Sequence, residues 1–297
     1  MAKKSLGQHF LKDPAVFQKI IAALEPQEGE TIFEIGPGHG ELTLPLARAC
    51  AEDAKTNANA SARVNTNAKS PCKIIAIEKD ATLAAELKLA VEQSGVEKIV
   101  EVVEGDALKI LHDRALQTEG DYRLAGNIPY YITGHLLRVV GELEKKPERA
   151  VLMVQKEVAE RIAARPPEMN RLAASVQFWS DVKIIGVVGR ENFSPPPQVD
   201  SAIIRLERVR EEKRDGEQYY SAVRTLFAQP RKTVLNNLSA GDGIQDTAET
   251  ATAGEENIQG NVKEKITAAL KEIGVDPNSR PQNLTVEAIV RIAEALF

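Results

Sequence analysis

The feature that most constrains this chain is the stretch Thr31–Leu42, TIFEIGPGHGEL, in which an apolar run leads into three closely spaced glycines and then an amphipathic segment. This order predicts a buried strand, a tight turn and the start of a helix. Glycine accepts positive φ angles and lets a ligand approach the backbone closely, and the free N–H groups at a helix start favour an anion. The stretch therefore predicts a nucleotide-binding corner of an α/β domain.

The identity of the nucleotide stays open at this point. The glycines are arranged as G-P-G-H-G, which is neither the G-x-G-x-x-G of dinucleotide-binding folds nor a P-loop with its Lys-Ser/Thr pair. A plain strand-to-helix turn is the alternative for this stretch taken alone, because glycine motifs often occur without a ligand.

Strand and helix patterns alternate through the first part of the chain, which predicts a doubly wound parallel sheet. The predicted strands are Ile32–Ile35, Lys73–Glu78, Ile99–Val103, Tyr122–Gly126 and Ala150–Val154, and the predicted helices lie near 14–24, 41–49, 81–93, 134–143 and 156–164. Two later strands, Val182–Val188 and Ser201–Arg208, have no helix between them and predict an antiparallel edge. From about Arg210 the periodicity is helical, with helices predicted at 219–227, 232–238, 262–273 and 284–296.

We therefore predict two domains, a Rossmann-like α/β domain over residues 1–209 and a small all-helical domain over 210–297. Residues 51–71 are rich in Ala, Asn, Thr and Ser, which predicts a low-complexity insertion, and residues 240–260 predict a flexible acidic connector. Cys50 and Cys72 flank the insertion but form no CxxC motif, so neither a disulfide framework nor a metal site is predicted.

The formal net charge of −5 argues mildly against nucleic acid as a partner. The acidic excess is local, because Lys and Arg are absent between Lys232 and Lys263, so basic faces remain possible elsewhere. The N-terminus lacks the apolar segment of a signal peptide, and no apolar run is long enough to span a membrane. We expect a cytoplasmic protein, and a monomer because no apolar stripe demands a partner chain.

Polar residues follow four of the predicted parallel strands, and in a doubly wound sheet ligands bind beyond the carboxyl ends of the strands. Glu78 follows the second strand, where an acidic residue can accept hydrogen bonds from ribose hydroxyls, and the insertion explains why it lies further from Gly36 than the usual spacing of about 20 residues. Asp106 follows the third strand and is placed to accept an adenine amine. The alternatives are a solvated strand end for Glu78 and a helix N-cap for Asp106.

The tetrapeptide Asn127-Ile128-Pro129-Tyr130 follows the fourth strand and predicts chemistry on an aromatic amine. Such an amine is a poor nucleophile because its lone pair is delocalised into the ring. Acceptance of its two N–H bonds by the Asn127 amide oxygen and the Ile128 carbonyl would draw the lone pair out of conjugation. Pro129 stiffens the turn and Tyr130 offers a stacking face. An ordinary Asn-x-Pro turn is the alternative.

Six strings occur in a fixed order: LGQHFL, FEIGPGHGELT, AIEKD, EGDAL, GNIPYYIT and FSPPPQVDSAIIRL. Together they resemble the ribosomal small-subunit RNA adenine N6-dimethyltransferases of the KsgA/RsmA type, and the resemblance resumes at FAQPRKTVLNNL in 227–238. The resemblance implies a Rossmann-like methyltransferase that uses S-adenosylmethionine, needs no metal, and dimethylates two adjacent adenines in the 3′-terminal hairpin region of 16S ribosomal RNA on the immature 30S subunit.

The resemblance also implies roles for individual residues. Its cofactor-binding set is His9, Leu11, Gly36, Glu78, Asp106 and Asn127, and its catalytic set is Asn127, Pro129, Tyr130 and Phe193. His9 and Leu11 would cover the cofactor, and Tyr130 and Phe193 would sandwich the flipped adenine. Position 9 is His where many members have Asn. Candidate RNA contacts are Lys3, Lys4, Lys12, Arg161, Arg165, Arg171, Arg231 and Lys232.

Two alternatives remain. One is a large-subunit rRNA adenine N6-methyltransferase of the macrolide-resistance type, against which the strings FSPPPQVDS and FAQPRKT count. The other is an RNA-binding assembly factor with secondary catalysis, against which the intact set of Glu78, Asp106 and Asn127 counts.

Overall fold

The computed structural model describes residues 9–51, 72–209, 216–241 and 255–297. The chain divides into two compact units, of which the first contains Met1–Glu160 and Ser180–Arg208 and the second contains Arg161–Trp179 and Val209–Phe297. The sequence placed 161–179 in the first domain. In the structure this segment packs within the second unit, because its Phe178 ring stacks on Tyr219 with ring centroids 3.9 Å apart.

The first unit is built on a seven-stranded sheet in the order β4-β3-β2-β5-β6-β9-β7. Its strands are β2 (Thr31–Ile35), β3 (Lys73–Glu78), β4 (Val100–Glu104), β5 (Tyr122–Asn127), β6 (Arg149–Gln155), β7 (Ser180–Val188) and β9 (Ser201–Arg208). Strands β2 to β6 are parallel, whereas β9 is antiparallel to both β6 and β7. The doubly wound parallel sheet and its antiparallel edge are therefore confirmed.

One helix precedes β2, four lie between successive parallel strands, and one follows β6. They are α1 (Pro14–Leu24), α2 (43–51), α3 (Ala81–Gln93), α4 (Ala107–Gln117), α5 (Thr133–Glu142) and α6 (Lys156–Ala163). Asp13 begins α1 by accepting a hydrogen bond from Ala15 N, with Pro14 at the first helical position. The sequence did not predict α4, because only Ala107, Leu111 and Ala115 are buried along it and the apolar pattern is thin.

A second, two-stranded sheet pairs β1 (Phe10–Leu11) with β8 (Phe193–Ser194), with Leu11 opposite Phe193. The sequence did not predict it, since each strand has two residues and the pairing joins distant parts of the chain. The sheet ties the segment before α1 to the loop between β7 and β9. It thereby brings His9 to the carboxyl edge of the large sheet.

Cys50 and Cys72 are joined by a disulfide, with their Cα atoms 5.6 Å apart. The prediction that they form none is wrong. The end of α2 and the start of β3 lie side by side, so the two ends of the inserted segment meet although they are 22 residues apart in sequence. Residues 52–71 of the predicted insertion lie outside the described residues.

The second unit is helical, which agrees with the predicted fold class. Its helices are α7 (Arg171–Gln177), α8 (Gly216–Leu226), α9 (Val234–Leu238), α10 (Glu255–Glu272) and α11 (Val286–Leu296). Residues 242–254 of the predicted connector lie outside the described residues, and 255–260 belong to α10 rather than to a connector. No helix within the described ranges is long and apolar enough to cross a membrane.

Candidate active site

A cavity opens at the carboxyl edge of β2, β3, β4 and β5 in the first unit. All six predicted cofactor-binding residues line it, namely His9, Leu11, Gly36, Glu78, Asp106 and Asn127. Pro129 and Tyr130 line it as well. Phe193 is absent from the lining, and its side chain is only 1% exposed. The structure therefore gathers every predicted site residue except Phe193 around one cavity.

The glycine turn forms one wall of the cavity. Gly36 and Gly38 have φ angles of 66° and 60°, which L side chains rarely adopt. A Cβ on Gly38 would lie 3.2 Å from the Phe10 ring, so a side chain there would press on the segment containing His9. A Cβ on Gly36 would lie 3.8 Å from the carbonyl oxygen of Asn127. The turn after β2 is thus close to the end of β5.

Glu78 is almost completely buried, with 6% of its surface exposed. Its Oε2 accepts a hydrogen bond from Gly38 N at 3.1 Å, and its Oε1 accepts one from Asp80 N at 2.9 Å. The carboxylate therefore links the glycine turn to the end of β3. Because it is buried and bonded in this way, the alternative of a solvated strand end is wrong.

Asp106 caps α4 and lines the cavity at the same time. Its Oδ1 accepts a hydrogen bond from Leu108 N at 3.0 Å, as the N-cap alternative proposed, and its Oδ2 accepts one from Lys79 Nζ at 2.9 Å. The Lys79 ammonium is the main cause that holds the pKa of the Asp106 carboxyl below its usual value. The side chain is consequently an ionised acceptor at neutral pH.

The Asn127 side chain is oriented by the segment before α1. Its Nδ2 donates a hydrogen bond to the carbonyl oxygen of His9 at 3.0 Å. Because that partner can only accept, the opposite amide atom, Oδ1, is left to accept from a ligand. Ile128 N donates to the carbonyl of Met153 at 3.1 Å, which holds the tetrapeptide against the end of β6.

His9 and Tyr130 form an aromatic pair at this edge of the sheet, with ring centroids 5.9 Å apart and planes inclined by 27°. His9 Nδ1 donates to the carbonyl of Pro195 at 2.8 Å. The Tyr130 hydroxyl is hydrogen-bonded to Ser201 Oγ at 2.7 Å, and burial raises the pKa of the phenol. These contacts hold the rings of His9 and Tyr130 in their orientation.

Glu34, a buried carboxyl group on β2, also lines the cavity, and the sequence did not predict it as a site residue. Burial raises the pKa of Glu34 to about 8, with smaller contributions in the same direction from Glu41 and Glu78. Its Oε2 has no hydrogen-bond partner among the described residues. The available signal was a lone charged residue inside an apolar strand, where burial would require a reason.

Lys79 was also missed, although it directly follows Glu78 and lines the cavity. Its sequence position marks it as a residue at the end of β3, but the ion pair with Asp106 depends on the neighbouring strand. A pairing between side chains on different strands has no local sequence signal.

Two solved structures of methyltransferases share this architecture. The dimethyladenosine transferase from Plasmodium falciparum superposes with a TM-score of 0.72 at 23% identity, covering 97% of this chain and 100% of that chain. The 23S rRNA methyltransferase ErmE superposes with a TM-score of 0.64 at 23% identity, covering 97% and 99%. The likeness shows that the chain has the Rossmann-like methyltransferase fold.

The family model described as Ribosomal RNA adenine dimethylase matches residues 1–56 and 57–274. Proteins named Ribosomal RNA small subunit methyltransferase A are similar over nearly the whole chain. The one from Dehalococcoides mccartyi is 32% identical over 96% of this chain and 85% of its own length, and the one from Bacillus cereus is 33% identical over 99% and 91%. The chain belongs to the ribosomal RNA adenine dimethylase family.

Proposed function

We propose that this chain transfers methyl groups from S-adenosylmethionine to N6 of two adjacent adenines in the 3′-terminal hairpin region of 16S ribosomal RNA, during assembly of the 30S subunit. The observation that carries the proposal is the hydrogen bond from Asn127 Nδ2 to the His9 carbonyl, which leaves Oδ1 as an acceptor on a residue that lines the cavity. Family membership supports the substrate class. The assignment to a cytoplasmic monomer rests on the sequence alone.

The residues around the cavity fit S-adenosylmethionine. The buried Glu34 carboxyl has an oxygen, Oε2, without a partner among the described residues, so it has capacity for a hydrogen bond with a polar group of the ligand. Glu78 would accept from the ribose hydroxyls and Asp106 from the adenine amine, while His9 and Leu11 would cover the ligand. When bound, the cofactor supplies an electrophilic methyl group.

Asn127 would activate the target amine by orienting it. Its Oδ1 and the Ile128 carbonyl would accept the two N–H bonds of the adenine N6 group, which draws the nitrogen lone pair out of conjugation and aims it at the methyl group. The amine loses a proton only after methyl transfer, so catalysis depends on orientation and hydrogen bonding rather than on a strong general base.

Tyr130 would stack on the flipped adenine, since its ring lines the cavity and is held by Ser201. Phe193 was predicted to cover the other face of the base. Its ring is buried and would have to become exposed, so this role stays a prediction. Pro129 keeps the turn rigid between Asn127 and the stacking ring.

The test is incubation with labelled S-adenosylmethionine and immature small subunits. We expect label in dimethyladenine of 16S RNA with the wild-type protein. Asn127→Ala should abolish transfer but leave cofactor affinity within about threefold, because the other cofactor contacts remain. The matched control is Asn278→Ala, which changes an exposed asparagine in the second unit and should retain full activity.

Three results would count against the proposal. Full activity of Asn127→Ala would refute the assigned role of the amide. Label in large-subunit RNA alone would support the macrolide-resistance type of enzyme, and RNA binding without any label would support an assembly factor.

A further inference from the structure

Lys79 lies at the mouth of the cavity and is used by no step of the proposed mechanism. It follows β3 directly, lines the cavity, and has 59% of its side chain exposed. Its ammonium lies 2.9 Å from Asp106 Oδ2, so it connects the ends of β3 and β4. The residue is therefore held at the part of the cavity that the proposed function gives to the cofactor's adenine.

Asp106 has a fixed orientation at this position. The hydrogen bond from Leu108 N holds one carboxylate oxygen on the start of α4, and the other oxygen is turned to Lys79. A carboxylate oxygen can accept more than one hydrogen bond, and an ammonium has three donors. The ion pair therefore leaves both groups with capacity for a further partner.

An ionised carboxylate only accepts and an ammonium only donates, so the pair presents an acceptor next to a donor. The amino-purine edge presents the complementary order, because the exocyclic N6–H2 group is a donor and the adjacent ring nitrogen is an acceptor. A 6-oxo purine would place an acceptor against Asp106. The pair thus matches adenine in chemistry as well as in position.

We propose that Lys79 is a further cofactor-binding residue that reads the adenine base of the cofactor: Nζ donates to the ring nitrogen beside the 6-amino group while Asp106 accepts from that amine. The inference rests on the proposed function, since it takes S-adenosylmethionine as the ligand. It adds a direct cationic contact to the set formed by Glu78 and Asp106.

Calorimetric titration with S-adenosylhomocysteine tests this contact without requiring RNA or catalysis. Lys79→Met keeps a side chain of similar length but has no charge, and we expect it to weaken binding by about tenfold. This is the effect of losing one charge-assisted hydrogen bond, made smaller because the lysine is exposed to solvent. Lys79→Arg keeps a donor and should bind within about threefold of wild type. Lys109→Met removes a nearby cation that does not line the cavity, and it should bind like wild type.

Analogues of S-adenosylhomocysteine in which carbon replaces one ring nitrogen, the 1-deaza and 7-deaza forms, identify the contacted atom. For one of the two, wild type and Lys79→Met should bind equally, because the partner of the ammonium is gone. Circular dichroism of each variant establishes that the fold is retained.

The outcomes separate this inference from the function on which it rests. If the wild-type protein binds no S-adenosylhomocysteine, the proposed cofactor is wrong. If wild type binds and Lys79→Met binds equally well, only the role of Lys79 fails. Tighter binding by Lys79→Met would mean that the lysine competes with adenine for Asp106, and it would overturn the inference. The inference would also fail if Lys79→Met weakened the binding of both deaza analogues as much as it weakens the binding of S-adenosylhomocysteine.

Discussion

The orientation of Asn127 comes from a backbone atom rather than from a side chain. The His9 carbonyl accepts from Nδ2, so the contact does not depend on which side chain occupies position 9. This explains how a chain with His at that position can keep the amide in place. The imidazole is engaged separately, with the Pro195 carbonyl and the ring of Tyr130.

Glu34 gives the folded protein a distinct dependence on pH. Because burial raises the pKa of the Glu34 carboxyl from its ordinary value to about 8, the folded protein holds a proton that the unfolded chain releases at lower pH. The stability contribution is therefore complete below about pH 4.5 and is lost as the pH rises to about 8, at up to about 1.4 kcal/mol per pH unit. Glu34→Gln should remove this loss and be the more stable protein at pH 8.

Urea unfolding of both proteins from pH 4.5 to 8 measures the effect. Glu92→Gln changes an exposed glutamate on α3 and should follow the wild-type curve. Parallel curves for wild type and Glu34→Gln would contradict the raised pKa.

Residues that act through their position in the sheet were the easiest to predict. Glu78, Asp106 and Asn127 each follow a strand, and parallel strands bring their carboxyl ends to one edge, so local patterns were enough. Lys79 and the Asn127–His9 contact depend on which elements lie side by side. The burial of Phe193 could not be predicted from its motif, because it depends on the pairing of β8 with the distant strand β1.

At the scale of elements, the contact between β2 and β5 joins the two walls of the cavity, with Ile35 opposite Gly126. A Cβ on Gly126 would lie 2.5 Å from the Ile35 carbonyl oxygen, which is backbone and cannot turn aside. We expect Gly126→Ala to lower the free energy of unfolding by about 2–3 kcal/mol through overpacking, and to reduce activity by displacing Asn127.

Gly134 in α5 provides the matched control, because a Cβ there would meet nothing within 4 Å. Gly134→Ala should raise the free energy of unfolding by about 0.5–1 kcal/mol, as expected for alanine in a helix. Denaturant unfolding compares the two variants, and equal stabilities would contradict the close approach of β2 and β5.

Elements with long, clear apolar patterns had bounds that the sequence could predict. The predicted bounds of β3, α3 and β9 agree with the observed ones. The two-residue strands β1 and β8 could not be predicted, because they exist only through pairing with each other. The Cys50–Cys72 bridge likewise depends on the distance between the end of α2 and the start of β3.

At the scale of the whole molecule, a chain of net charge −5 must bind RNA through local basic residues. Lys12 is exposed, and its backbone N–H donates to the carbonyl oxygen of Asn192 at 2.8 Å, beside the β1–β8 sheet. If it contacts a phosphate, Lys12→Gln should reduce the slope of log affinity against log salt by about 0.9.

The measurement is binding of the 3′-terminal hairpin RNA over a range of salt concentrations. Lys19→Gln removes an exposed lysine from α1, outside the cavity lining, and should leave the slope unchanged. The same slope for wild type and Lys12→Gln would rule out a phosphate contact at that position. Lys3 and Lys4 lie outside the described residues.

The chain leaves the first unit after Glu160, returns at Ser180 to supply β7 and β9, and leaves it again after Arg208. During synthesis, α7 and Phe178 are therefore made well before Tyr219, which covers the Phe178 ring. Neither unit is encoded by one continuous part of the sequence. A truncation after residue 208 would therefore leave Phe178 without Tyr219, the residue on which its ring stacks. Exchange of the helical unit between relatives would have to transfer two segments together.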